Sequence, residues 1–186
     1  MALVPPIEAT AEEVRELLAP LRNDLSIAIY NSQNAFNIGA IIRVAHSYLV
    51  REIIIIGEER WYERASMGMH RFENIVRVPD IDAFFEHVGD RPIWSVEKDH
   101  ATVSLYDVVE YPRDVVFVMG SESEGVPMRI IERSGAVIGI PMYGINHSFP
   151  ITVASGIVLC DWARRRYRAG TVVTGPQLAG RRAPNK

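Results

Sequence analysis

"EIIIIGE", Glu52–Glu58, sets four consecutive isoleucines between two acids. A half-buried strand alternates apolar with polar residues, because successive side chains point to opposite faces of the sheet. Four β-branched residues without alternation read instead as a strand covered on both faces, the situation inside a parallel sheet. "VVFVM" (Val115–Met119) has the same character, and "SIAIYNS" (Ser26–Ser32) is a β-rich, alternating segment. Further strands are expected at "IVRVPD", "PIWSVEK" and "AVIGIPM", starting at Ile75, Pro92 and Ala136.

Helical patterns lie between these runs. "TAEEVRELLAPL" (Thr10–Leu21) has a capping residue, early acids and helical apolar spacing, and Pro20 should end it. "NIGAIIRVAHSYLV" puts Ile38, Ile41, Ile42 and Ala45 on one side of a helix. "DIDAFFEHVG" starts near a capping Asp80 or Asp82, and "VPMRIIERSG" is a short helix closed by Gly135. The last helix should begin near Pro150, just inside its first turn, and run to about Arg168. Strands that alternate with helices predict an α/β domain, a mostly parallel sheet with helices on both faces. Residues 1–25 form a helical extension, 26–168 the domain proper, and 169–186 a basic tail without periodicity, loose on the surface.

Composition narrows the function classes. One cysteine, Cys160, rules out an internal disulfide; it sits in an apolar run and reads as a small hydrophobe in a reducing, cytoplasmic compartment. No signal peptide is read at the start, and no apolar run reaches the ~18 residues of a membrane span, so no membrane partner is expected. The five histidines are scattered singly, without metal-ligand spacing, so no metal is expected. The net charge of −3 speaks against nucleic-acid binding by bulk charge. Arg164, Arg165, Arg166 and Arg168, with Arg181, Arg182 and Lys186, form a basic cluster near the end. It reads equally as a solvated helix end or as a set of phosphate contacts.

In parallel sheets ligands sit beyond the carboxyl ends of the strands. Three strand ends carry unusual chemistry: "YNSQNAFNIG", "FVMGSESEG" and "IPMYGINHS". Asn37 has the residue type of a helix N-cap. Arg43 interrupts an apolar segment, so it either snorkels to the surface or meets an anion. "GSESEG" (Gly120–Gly125) lacks the lysine of a phosphate loop and carries two acids, which suits a ligand with hydroxyls or positive charge. No GxGxxG follows a strand and no GxSxG elbow surrounds a serine, which weakens the dinucleotide and hydrolase readings.

"NIGAIIRVA", "FVMGSESEGVP" and "IPMYGINHSFPITVASGIVL", in that order, resemble the three signature motifs of the SpoU (TrmH-like) RNA 2′-O-methyltransferases, across roughly Ser26 to Arg168. The connecting "ERASMG" (Glu63–Gly68) is also similar. The resemblance implies a C-terminal deep trefoil knot, a homodimer with the active site at its interface, and methylation of a ribose 2′-hydroxyl in RNA, tRNA before rRNA. The implied cofactor is S-adenosyl-L-methionine, held by Val96, Gly120, Ser121, Glu122, Ile140, Met142 and Ser148. The implied catalytic residues are Arg43, Asn37, Glu122 and Ser148. The family's third motif reads Ser-Leu-Asn, whereas this chain has Ser148-Phe149-Pro150. That proline keeps a second class of function in view, a knotted dimeric RNA- or cofactor-binding protein with impaired catalysis.

Overall fold

The computed structural model describes residues 9–30 and 32–166. Among these residues seven strands form one sheet: β1 Leu25–Tyr30, β2 Glu52–Ile56, β3 Ile75–Val78, β4 Ile93–Val96, β5 Val103–Ser104, β6 Val115–Met119 and β7 Ala136–Gly139. Five α-helices accompany them: α1 Ala11–Leu18, α2 Ala35–Ser47, α3 Ile81–Val88, α4 Met128–Arg133 and α5 Ile151–Arg166. The spatial order is β3-β2-β1-β6-β4-β7-β5, and every ladder between these strands is parallel.

Each central strand feeds both faces. Ile53 and Ile55 join a core with Ile27, Ile29, Val115 and Phe117, which α2 covers with Ile38, Ile41 and Ile42, and α5 with Val158, Leu159 and Trp162. Ile54 and Ile56 point the other way, to Val116, Val118, Phe84 of α3 and Ile130 of α4. Burial of one such isoleucine contributes about 1.5–3 kcal/mol, so the unbroken run in β2 is what two-sided coverage demands. β1 is likewise buried from Leu25 to Ile29, so the alternation in its sequence is only apparent: Ser26 and Ala28 are also inside.

Several local expectations are corrected. α1 stops at Leu18, capped by Thr10 and Glu13 in a reciprocal box, and Pro20 lies inside a following 3₁₀ turn, where a proline in the first turn costs no hydrogen bond. The cap of α2 is Asn34, whose side chain accepts from the Phe36 N–H; Asn37 lies within the first turn. Pro150 occupies the cap position of α5 and not the first helical one: its carbonyl accepts from Val153 and Ala154. Cys160 is exposed, on the side of α5 away from Leu159 and Trp162. The two-residue strand β5 carries too little pattern to be read from sequence.

The arginines at the end of α5 are engaged within the molecule. Asp161 accepts from Arg164 at 2.8 Å, from Arg165 Nε at 2.6 Å and from the Tyr111 hydroxyl at 2.8 Å. Arg166 stands 3.4 Å from Asp24 and over the Trp162 ring. Burial pushes the Asp161 carboxyl up, but the Arg165, Arg164 and Tyr111 hydrogen bonds outweigh it and hold it below the usual range. Arg168 and the segment 169–186 lie outside the described residues.

Candidate active site

The strand order reverses beside β1: β2 and β3 continue on one side, and β6, β4, β7 and β5 on the other. A crevice opens at such a switch point, at the carboxyl ends of the strands. Here it lies between the loop after β1 and the Gly120–Val126 loop after β6. Glu122 spans it. Its Oε1 accepts from the Asn37 amide at 2.6 Å and from the Ser32 hydroxyl at 2.8 Å. Burial raises the Glu122 carboxyl, yet the bonds from Asn37, Ser32 and the backbone N–H groups of Glu122 and Gln33 prevail, so it stays ionised below the ordinary carboxylate range. Asn37 thus gives up the capping role that its residue type suggested and holds the Glu122 carboxylate instead.

The glycine-rich loop is a closed hairpin. Ser121 and Gly125 exchange both backbone hydrogen bonds at 3.1 Å, and the Ser121 hydroxyl accepts from the Glu124 N–H at 3.0 Å. A Cβ on Gly120 would run into the backbone of Gly125 and Val126, and Gly125 has φ +68°. Both glycines are therefore demanded by the turn itself, with β6 delivering the loop to the carboxyl end of the sheet. Gly39 has a comparable reason: a side chain there would collide with the Tyr62 carbonyl and Ala65, where α2 packs on the 3₁₀ turn Glu63–Ser66.

Next to the hairpin lies a cavity of about 810 Å³, bounded by the ends of β4, β6 and β7 and the start of α5. Eight of the nine site residues expected from sequence line it: Asn37, Val96, Gly120, Ser121, Glu122, Ile140, Met142 and Ser148. Ser148 is exposed in the segment that leads to α5, with Phe149 and Pro150 also on the wall. Asn146 and His147 are exposed and do not line it. Arg43 is the ninth, and the chain does not bring it there. It is exposed on α2, about 9 Å along the helix axis from Asn37, because Ile41 and Ile42 take the buried face. Of the two alternatives for Arg43, the outward one holds within a single chain.

Sequence reasoning passed over two participants. Ser32, only 1 % exposed, donates to Glu122 from five residues upstream of Asn37. Glu97, at the end of β4, also lines the cavity and accepts from the Val126 N–H at 3.2 Å. An acid directly after an apolar strand was the available signal for Glu97; a serine in a polar loop gave none.

The cavity has the volume of a small-molecule site, and its lining suits S-adenosylmethionine. Val96, Met119, Ile138 and Ile140 form the apolar part of the lining between β4, β6 and β7. Glu122 offers an acceptor for hydroxyls and positive charge. Fold and site together define an α/β protein with a cavity at the carboxyl ends of β4, β6 and β7 in a parallel sheet. Residues 24–160 match the model of the SpoU rRNA methylase family, and the chain belongs to that family. It is 28 % identical over 169 residues to the tRNA (guanosine(18)-2′-O)-methyltransferase of Aquifex aeolicus, a match that covers 88 % of this chain and 80 % of that protein. The crystal structure of the A. aeolicus TrmH/SpoU tRNA modifying enzyme superposes with TM-score 0.72 at 27 % identity, covering 84 % of this chain and 82 % of that one. The AdoMet-bound rRNA methyltransferase from Sinorhizobium meliloti gives TM-score 0.70 at 24 % identity, covering 83 % of this chain and 61 % of that one. The chain spans about half the length of the Mycolicibacterium tRNA/rRNA methyltransferases that it matches.

Proposed function

We propose that this chain is an S-adenosyl-L-methionine-dependent methyltransferase acting on a ribose 2′-hydroxyl of RNA, with tRNA preferred to rRNA. The observation that carries this reading is the convergence of three separated motifs on one cavity, in a chain that belongs to the SpoU family. The tRNA preference rests on the name of the A. aeolicus relative, which the chain matches over four-fifths of that protein's length.

Val96, Gly120, Ser121, Ile140, Met142 and Ser148 would hold the cofactor, which supplies an electrophilic methyl group on a sulfonium. Asn37 and Ser32 orient Glu122 at the border of the cavity, where its carboxylate accepts from a hydroxyl or ammonium. Arg43 acts as a fixed cation. Arginine is a permanent cation in proteins and makes no general base, so Arg43 grips an RNA phosphate and stabilises negative charge that develops on the ribose oxygen. Within one chain Arg43 stands away from the cavity, which supports a homodimer whose active site lies at the interface. The C-terminal segment that leads into α5 is the part we assign to a trefoil knot, as in the family. Residues 26–168 would form this methyltransferase domain, 1–25 a helical extension, and the basic tail 169–186 would contribute phosphate contacts.

Methyl incorporation from labelled cofactor into total small RNA and ribosomal RNA, followed by mapping of the modified ribose, tests the reading. Labelled 2′-O-methyl in tRNA is expected. Cofactor binding without incorporation into either RNA pool would overturn the enzymatic reading in favour of a binding-only protein, which Pro150 in place of the usual asparagine already motivates. Arg43→Lys should lose most activity and keep cofactor affinity, because a point charge cannot reproduce the planar fork; near-normal turnover would remove Arg43 from its role.

A further inference from the structure

Glu97 has no part in the motifs, yet both oxygens of its carboxylate are used. Oε1 accepts from the N–H groups of Lys98 at 2.8 Å and Asp99 at 3.3 Å, so the acid fastens the turn that follows β4. Oε2 accepts from the Val126 N–H at 3.2 Å, on the far leg of the Gly120–Val126 hairpin. The same oxygen fills the space where a Cβ on Gly125 would sit, so the hairpin closes directly against the carboxylate.

The strand order gives this contact its meaning. β6 lies between β1 and β4, so the hairpin after β6 has a neighbouring strand end on each side. On the β1 side Glu122 ties it to Asn37 and Ser32, and on the β4 side Glu97 ties it to the cavity wall that holds Val96. We infer that Glu97 is a positioning residue: its carboxylate locks the β4 end to the glycine hairpin and sets the width of the cofactor cavity. A neutral amide cannot replace it. Glutamine keeps one acceptor oxygen, so its NH₂ must face either the Val126 N–H or the pair from Lys98 and Asp99, and one side of the tie is lost. Alanine at Gly125 attacks the same contact from the opposite side, with the added strain of positive φ.

The inference rests on the cavity being the cofactor site, and the test separates the two. Calorimetric titration of S-adenosylmethionine and S-adenosylhomocysteine into the full-length wild type comes first; no binding of either would overturn the cofactor reading itself. Given wild-type binding, Glu97→Gln should weaken both ligands about tenfold, the loss of one hydrogen bond to a charged group. Amide exchange of Gly125 and Val126 should quicken in the unliganded protein. In steady state the KM for cofactor should rise while kcat and the KM for RNA change little. A purely structural role would lower the melting temperature without changing affinity. That pattern, or unaltered exchange in the hairpin, would overturn the inference. If Glu97→Gln fails to fold, Glu97→Asp, shorter by one methylene, is judged on the same readouts.

Discussion

Replacing Asn37 by aspartate changes one NH₂ into an oxygen at nearly constant shape. The amide now donates to Glu122 Oε1 at 2.6 Å, so the substitution sets a second carboxylate against the first. Losing a hydrogen bond to a charged acceptor costs about 1.5–3 kcal/mol when buried, and Glu122 is exposed, so about 1 kcal/mol is the fair figure for Asn37→Ala. Asn37→Asp adds repulsion between like charges. At about 4 Å this reaches ~4 kcal/mol in a protein-surface dielectric, and solvent at this open site reduces it to about 1 kcal/mol. At pH 7 the aspartate variant should therefore be about 2 kcal/mol less stable than the wild type and about 1 kcal/mol less stable than the alanine variant.

The sign of the pH dependence separates the variants. In the wild type Glu122 is held below its ordinary value, so its stabilisation is present above the unfolded pKa and is lost as pH falls through the folded one. In Asn37→Asp the paired carboxyls are raised, the folded state binds more protons than the unfolded one, and the extra penalty disappears as pH falls toward 4. Thermal unfolding of wild type, Asn37→Ala and Asn37→Asp from pH 4 to 8 is the assay, with cofactor titration at each pH. An aspartate variant as stable as the wild type at pH 7 would refute the proposed geometry. So would a deficit relative to alanine that persists unchanged to pH 4.

Three further substitutions probe the frame around the site. Gly39→Ala drives a methyl group into the Tyr62 carbonyl and Ala65, and should cost about 1–3 kcal/mol in denaturant unfolding; a neutral result would show that α2 and the Glu63–Ser66 turn separate freely. Glu52, buried at the start of β2, accepts from Arg91 at 2.5 Å and pairs with His87 at 2.9 Å. Burial raises its carboxyl, but the bonds from His87 and Arg91 hold it below the usual range. Glu52→Gln should cost about 3 kcal/mol at neutral pH and flatten the acid limb of the stability curve, because Glu52's contribution is lost only as pH falls through its lowered pKa. Pro150→Asn supplies a side-chain cap worth ~1 kcal/mol to α5 and gives up ~0.4–1 kcal/mol of proline's restriction of the unfolded chain. Its unfolding midpoint should barely move while turnover rises; unchanged turnover would show that the proline replaces the family asparagine without loss.

Much of the fold follows from local sequence. The isoleucine run of β2 required coverage on both faces; α2 and α5 provide it on one side, α3 and α4 on the other. The buried face of α2 was visible in the spacing of Ile38, Ile41, Ile42 and Ala45, because a helix repeats every 3.6 residues whatever surrounds it. The three loaded strand ends were recognisable as residues that no strand or helix would choose for its own sake, and they line one cavity.

What the sequence could not supply is which of these residues meet. Asn37 and Glu122 are 85 positions apart, and Glu97 and Val126 29 apart; each pair touches only because β6 lies between β1 and β4. Strand order is a long-range outcome, so residue type alone makes Asn37 a cap and Cys160 a buried hydrophobe, and leaves Glu97 without a role. The same limit applies to Arg43, whose interruption of an apolar run was plain, while its direction was decided by which helix face the sheet claimed. By itself the sequence determined the parallel sheet, its helices and the chemistry at its strand ends, because periodicity and backbone preference act over a few residues. Only the tertiary structure decided that Glu122 and Glu97 anchor the glycine hairpin from its two sides and that Arg43 points away, because those contacts depend on how distant strands are ordered.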